Sequence, residues 1–326
     1  MSTVKRPLVI GHRGASGHRP EHTLESYGLA IEMGADFIEP DLVSTKDGVL
    51  VVRHENEIGG TTNVASKFPA RKTTKTVDGV KMEGWFTEDF TLAEIKTLRA
   101  KERLPERSQA FDGRFMIPTF EEVILFAKEK SREKGRTIGL YPETKHPSYF
   151  RAVGLALEPK LIALLNKHGL NEKDAAVYVQ SFEVGNLKAL RKELKVPLLQ
   201  LMEEGSVQPA DFVASGDKRT YADLMTPAGL REVATYANGI GPWKRSIIGE
   251  DPVTKKLLPP TSLVKDAHAA GLLVHPYTFR SDPQYLNAAY ANDPSAEYRQ
   301  FFELGVDGVF SDFTDDAVRA REAFFK

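Results

Sequence analysis

Short apolar runs, rich in β-branched residues, alternate along the chain with longer stretches in which apolar positions recur at helical spacing. Residues 8–12, 37–41, 49–54, 138–143, 177–182, 198–202, 274–278 and 306–312 read as strands, with a weaker one at 239–242. Residues 23–33, 120–133, 154–167, 184–193, 263–270 and 295–303 read as helices. Thr119 and Glu122, just after Pro118, form a capping-box signal where the second helix starts. Strands alternating with helices at this chain length predict a parallel α/β protein, either a closed barrel or a doubly wound sheet.

Two segments break the rhythm. Residues 44–48 are too few for a crossover helix, and they hold Asp47-Gly48, a favoured two-residue hairpin turn. With that turn Lys46 pairs with Val49 and Asp41 with His54, so the last two share a face. Glu39 joins them through the two-residue period of a strand. The second break, residues 57–115, is rich in Thr and Lys and contains Trp85, Phe86 and Phe90. A capped helix is expected there from Thr91 and Glu94 to the neighbourhood of Ala100. The segment is too long for an ordinary loop and predicts an inserted subdomain at 57–115 that leaves the barrel mouth.

Composition narrows the function classes. With 326 residues, 41% of them hydrophobic, the chain can bury one large core or two modest ones. Basic residues number 44 and acidic ones 45, a net charge of −1, which removes the electrostatic basis for general nucleic-acid binding. A local basic patch around a small anion stays compatible with that balance. Cysteine is absent, which excludes disulfides, thiolate metal sites and a cysteine nucleophile. No apolar run approaches the roughly 18–20 residues of a membrane span, so stable membrane insertion is not expected. Residues 1–7 lack the charged and then apolar pattern of an export signal.

Groups able to do chemistry collect at the ends of the expected strands. His12 and Arg13 follow the first, Glu39 and Asp41 lie on the second, and His54 stands on the return arm. Glu143 and Lys145 come next, then Gln180-Ser181-Phe182. In a barrel these C-terminal strand ends face the active site. Three carboxylates make a hard oxygen site suited to Mg²⁺ or Ca²⁺. Two histidines offer a proton donor and acceptor near neutral pH, and Arg13 and Lys145 fit a phosphate. Taken singly, a strand-end histidine is often a hydrogen-bonded structural residue, and a Glu-x-Asp pair often binds a basic neighbour. Taken together, the set points to metal-assisted phosphoryl chemistry. Side chains at an open mouth are expected to bury little area. His18, His22, His146, His168, His268 and His275 have no comparable context, and His168 and His268 read as surface residues. Gly11, Gly14 and Gly17 lack the G-x-G-x-x-G spacing of a dinucleotide loop.

These residues resemble a known family. His12-Arg13-Gly14-Ala15-Ser16-Gly17 followed by Pro20-Glu21-His22-Thr23-Leu24 is similar to the opening motif of glycerophosphodiester phosphodiesterases. Ile38-Glu39-Pro40-Asp41-Leu42, Lys46-Asp47-Gly48 and Val51-Val52-Arg53-His54-Glu55 resemble the family's second block. Tyr141-Pro142-Glu143-Thr144-Lys145, Gln180-Ser181-Phe182, 274–278 and 305–312 carry the resemblance to the C-terminus. His22 stands where the family commonly has Asn, which makes it a candidate polar contact in the site.

The resemblance implies a TIM-type (β/α)8 barrel, a single domain over 1–326 with the 57–115 subdomain inserted in it. It implies His12 and His54 as the acid–base pair, and Glu39, Asp41 and Glu143 as ligands of one divalent cation, Ca²⁺ or Mg²⁺. Arg13 and Lys145 would contact the phosphate of a small glycerophosphodiester, hydrolysed to glycerol 3-phosphate and an alcohol. The branch it looks like is bacterial and periplasmic, which implies a periplasmic place if an export signal has been cleaved away and a cytoplasmic one otherwise. Two rivals stand beside this reading. One is a lipid-active barrel of the lysophospholipase D or phospholipase C type, which would want an apolar rim or interfacial helix. The other is a non-catalytic phosphate-ligand binding protein, which loss of a histidine or carboxylate would favour.

Overall fold

The computed structural model describes residues 6–326, so the first five residues of the expected domain, and the reading of its start, lie outside it. Strands form as β1 (Leu8–His12), β2 (Phe37–Glu39), β3 (Asp41–Ser44), β4 (Leu50–Val52), β5 (Thr73–Val77), β6 (Val80–Gly84) and β7 (Gly139–Leu140). They continue as β8 (Glu143–Thr144), β9 (Val179–Ser181), β10 (Leu198–Met202), β11 (Gly239–Pro242), β12 (Leu273–Val274) and β13 (Gly308–Ser311). Proline interrupts two of the expected strands. Pro40 separates β2 from β3 and Pro142 separates β7 from β8, because proline has no N–H to give the ladder. Their carbonyls still take part: the Glu143 N–H donates to Pro40 O and the Gln180 N–H to Pro142 O, each at 3.0 Å.

Each interrupted pair therefore fills one place in a ring. The parallel order β13-β1-β2-β7 passes into β3-β8-β9-β10-β11-β12, and parallel bridges Leu140–Val177 and Phe279–Ser311 close it. The closed ring decides for the (β/α)8 barrel over the doubly wound sheet. After Pro40 the chain parts from β1, and the antiparallel β4 takes that edge of β3. This parting of the strands opens the mouth where the catalytic candidates stand.

Outside the ring, helices Leu24–Glu32, Phe120–Lys134, Glu158–Lys167, Val184–Leu190, Leu263–Ala269 and Pro294–Glu303 lie close to expectation. The capping box forms as read: the Glu122 N–H donates to Thr119 Oγ1 at 3.1 Å and the Thr119 N–H to Glu122 Oε2 at 2.7 Å. The third helix starts four residues late. Gly154, at φ +78°, ends a separate short helix, Pro147–Ala152, and Pro159 sits in the first turn of the next. Helices Ala210–Ser215, Tyr221–Leu224, Pro227–Val233 and Thr314–Phe324 were not read from the pattern. Three are a turn or two long, and the last buries Thr314, Asp316, Ala317, Ala320 and Arg321, which carry little hydrophobic signal.

Within residues 57–115, β5 and β6 form an antiparallel hairpin with Asp78-Gly79 at its tip, both at positive φ (+48° and +82°). That is the two-residue turn in which both residues need φ > 0, and it favours this dipeptide. The Thr91–Glu94 box caps a helix that stops at Ile95 rather than near Ala100, because Ala100 is drawn into a bridge with Thr62. Phe86 and Phe90 are fully buried, and the Trp85 indole N–H donates to Phe68 O at 2.8 Å. Phe90 lies in the core shared with the barrel, and Phe68 and Trp85 pack against it.

Candidate active site

The two-residue period turns alternate strand residues into the barrel. Ile10, Phe37, Tyr141, Leu199 and Phe310 form an apolar floor, with the Tyr141 and Phe310 rings edge to face at 5.0 Å. Burying each such side chain contributes roughly 1.5–3 kcal/mol. Here His275 lies at the floor, its Nδ1 2.8 Å from Tyr141 Oη. One step further along the same strands stand His12, Glu39, Glu143, Gln180 and Leu201. With Arg13, His54, Lys145, Phe182, Tyr277 and Arg280 they line a cavity of about 410 Å³. Parallel register sets His12 beside Glu39, and Asp41 beside Glu143 beside Gln180. All seven sequence-predicted site residues come together at this end, with Asp41 just behind the cavity wall.

The carboxylates are buried rather than open to a solvent-filled mouth, contrary to expectation. Glu39 accepts from the Arg13 backbone N–H at 2.8 Å and from Gln180 Nε2 at 3.2 Å. Asp41 Oδ2 lies 2.8 Å from His22 Nε2, while its Oδ1 is buried without a hydrogen-bond partner. Glu143 Oε1 is 3.1 Å from Lys145 Nζ. Burial and the neighbouring Asp41 push Glu39 well above the usual carboxylate range. Burial raises Glu143 to about 8, against the pull of Lys145. Asp41 is held low despite its burial, by His22 above all. Ligand atoms of His22, Glu39 and Asp41 lie within 4.8 Å of one another, which places His22, a candidate polar contact from the resemblance, among the carboxylates. Arg13 and His22, joined by the His22 N–H to Arg13 O at 3.0 Å, both hold φ +58°, an uncommon backbone state of the kind that clusters at functional sites.

The hairpin argument for His54 needs correction. The observed register pairs Leu42 with Val52, Val43 with Val51 and Ser44 with Leu50. Thr45, not Lys46, meets Val49, and the Arg53 N–H donates to Asp41 O at 3.0 Å. The loop is one residue longer than expected, with Gly48 at φ +80° taking the left-handed position. Arg53 therefore stands opposite Asp41. His54 reaches the cavity because the chain leaves the ladder after Val52, not because of strand pairing. Its Nε2 lies 3.4 Å from Lys145 Nζ and its Nδ1 2.8 Å from Glu55 Oε1. Burial, with Arg13 and Lys145 close by, brings His54 down to about 3. Burial and Arg13 also lower His12, whose Nδ1 is 2.6 Å from Asp312 Oδ1. Both shifts favour the proton-accepting form of the ring.

A sequence model of the glycerophosphoryl diester phosphodiesterase family matches residues 12–316. The chain belongs to that family. It is 40% identical to glycerophosphodiester phosphodiesterase GDPD6 of Arabidopsis thaliana, over 95% of this chain and 85% of the relative. A solved structure from Silicibacter pomeroyi superposes with a TM-score of 0.71 at 21% identity, over 98% of this chain and 95% of that one. An Oleispira antarctica phosphodiesterase, solved in complex with the product sn-glycerol-3-phosphate, gives 0.63 at 19% identity, over 97% of each chain. The sequence matches support glycerophosphodiester phosphodiesterase activity, and the structural ones show the shared barrel.

Several groups around this family site escaped the sequence reading. Asp312, Glu21 and Glu55 hold His12, Arg13 and His54 through charged contacts of 2.6, 2.9 and 2.8 Å. All three lie inside the quoted motifs, which was the one available signal. His146 lies between Glu55 Oε2 (2.9 Å) and Asp78 Oδ2 (2.6 Å). Burial pulls this ring down, but the two carboxylates win and raise it to about 9. A histidine raised on folding contributes stability that is fully present below its unfolded value near 6.5 and is lost as pH climbs through 9. His146→Ala should therefore lower unfolding free energy by about 1.5–3 kcal/mol at pH 6 and by much less at pH 9.5. Denaturant melts of both proteins at the two pH values check this. A deficit that stays constant, or grows with pH, would contradict the charged state assigned to His146.

Proposed function

We propose that the chain hydrolyses glycerophosphodiesters to glycerol 3-phosphate and an alcohol such as choline or ethanolamine, using one bound divalent cation, Ca²⁺ or Mg²⁺, and His12 and His54 as acid and base. The observation that carries this reading is the meeting, in one cavity, of clustered carboxylates, two histidines and two fixed cations. The donor set fits a hard cation: Asp41 Oδ1 is buried and unpartnered, and crowding with burial holds Glu39 and Glu143 in raised states that a cation would relieve. Glu39, Asp41 and Glu143 would hold it, with His22 as a polar neighbour. When bound, the cation supplies charge neutralisation at the phosphate and a lowered pKa for a nearby hydroxyl.

The chain's own residues do the rest. Arg13 and Lys145, buried and kept charged by Glu21 and Glu143, offer donors to the phosphate oxygens. One histidine takes the proton of the glycerol 2-hydroxyl as that oxygen attacks phosphorus, forming a cyclic phosphate. The other enters the step protonated, gives that proton to the departing alkoxide and is left neutral. Water then opens the ring with the two roles exchanged.

Buried Phe86 and Phe90 give no apolar rim of the kind the lipid-active rival wants. Among the described residues no helix is long and apolar enough to cross a membrane. The non-catalytic rival is disfavoured by the retention of both histidines and all three carboxylates. We also read residues 57–115 as a subdomain inserted into one barrel domain, on the strength of their position between β4 and helix Phe120–Lys134. A product assay tests the proposed reaction. Glycerol 3-phosphate should appear in equal amount to the alcohol across glycerophosphocholine, glycerophosphoethanolamine and glycerophosphoinositol. Release of phosphocholine, or turnover of lysophosphatidylcholine alone, would overturn it.

A further inference from the structure

Of the residues in the 57–115 segment, only Asp78 reaches the cavity wall. The segment nevertheless reaches the carboxylate behind each histidine, directly at Asp312 and by way of His146 at Glu55. We propose that it positions both histidines, through Arg107 on Asp312 and through Asp78 on His146 and Glu55. The inference rests on the reading of His12 and His54 as the acid–base pair.

The first route is buried throughout. Asp312 Oδ1 faces His12 Nδ1, and its Oδ2 accepts from Arg107 Nη2 at 2.7 Å and from Arg280 Nε at 3.1 Å. Arg107 is itself locked by a two-toothed grip on Asp282, at 3.0 and 2.7 Å, and by donation from Nη1 to Ser16 O at 3.1 Å. With one oxygen committed to Arg107, Asp312 turns the other to the ring. A carboxylate at Nδ1 selects the tautomer that carries its proton there and leaves the Nε2 lone pair for proton exchange.

The second route has the same logic with different parts. Glu55 Oε1 faces His54 Nδ1, and Oε2 faces His146 Nε2. The other nitrogen of His146 meets Asp78 Oδ2, so this ring has a carboxylate at each end and is an imidazolium. Asp78 is held out on the rigid tip of the β5–β6 hairpin by the Asp78-Gly79 turn. Both histidines thus present Nδ1 to a carboxylate, which a residue of the 57–115 segment holds directly at Asp312 and through His146 at Glu55.

The test uses the full-length protein with glycerophosphocholine as substrate. Arg107→Gln and Asp78→Asn should each lower kcat by about 10–100-fold, the usual cost of removing an outer orienting partner, with KM moved by less than about threefold. In a His12→Ala background Arg107→Gln should change the residual rate by less than about twofold, and Asp78→Asn should do as little in a His54→Ala background. Nitrogen NMR should show the Nδ1–H signal of His12 weakened only by Arg107→Gln, and that of His54 only by Asp78→Asn. Arg107→Lys should recover part of the loss. A structural role alone would lower the melting midpoint and reduce the rate equally in both backgrounds, and that result overturns the inference. If Arg107→Gln does not fold, Asp78→Asn at an exposed turn decides by the same criteria. If His12→Ala and His54→Ala lose activity while neither outer variant does, this inference fails and the acid–base reading stands. If the two alanine variants keep wild-type turnover, both fail.

Discussion

His12→Ala and His54→Ala are each expected to lower turnover by about 10²–10⁴-fold, the usual contribution of one positioned acid or base. Because the two rings hand protons along one reaction, the double variant should lose far less than the product of the single losses. The fold should hold. Removing the His12 ring leaves Asp312 with Arg107 and Arg280, and the His54 side chain is 30% exposed. Melting midpoints within a few degrees of wild type should accompany the losses. A good leaving group separates the roles. On a nitrophenyl ester of glycerol phosphate, the histidine that protonates the alkoxide becomes largely dispensable, while the base does not. Equal losses on natural and activated esters would contradict this division. A large fall in melting midpoint with full activity per folded molecule would make both residues structural.

Removal of the cation is expected to have the second large effect, abolishing turnover and lowering stability. In its absence Glu39, Asp41 and Glu143 stand buried side by side, and two of the three are driven toward their protonated forms. A ligand that binds only the folded state stabilises it by about 2.7 kcal/mol at a hundred times its Kd. Adding Mg²⁺ or Ca²⁺ to chelated protein should therefore raise the melting midpoint and restore the rate together. Glu39→Gln should weaken the cation's hold more than it disturbs the apo fold, since the amide keeps an acceptor for the Arg13 N–H. Full turnover after exhaustive chelation, with elemental analysis finding no metal, would remove the cation from the mechanism.

The alternation of strands and helices was largely legible because its signals are local. Short apolar runs in β1 and β10 and a helical period in Leu24–Glu32 are written within ten residues of sequence. The capping box at Thr119 needs only three. Proline breaks at Pro40 and Pro142 were equally local, yet they were missed, since a break of one hydrogen bond does not disturb the apolar pattern. Among site groups, those on barrel strands followed from the two-residue period of a strand: His12, Glu39 and Glu143 each sit one inward step past a floor residue.

His54 marks where local reasoning stops. Its expected place rested on a hairpin register, and a register off by one residue reverses every face. The third loop residue and Gly48 at φ +80° set the observed register, and packing set the path of the chain beyond it. The contacts behind His12 join segments far apart in the chain. His12 meets Asp312 from 300 positions away, and Arg107 meets Asp312 from 205. So the sequence by itself determined the alternation of elements, the inward faces of the strands and the chemical kinds of the active groups, all properties of short-range period and residue type. The closed ring, the burial of the carboxylates, the place of His54 and the contacts that Asp312, Glu55, His146 and Arg107 make were decided only by the tertiary structure. Those depend on which distant segments come within hydrogen-bond reach once the barrel closes, and a repeat of two or of 3.6 residues carries no information about that.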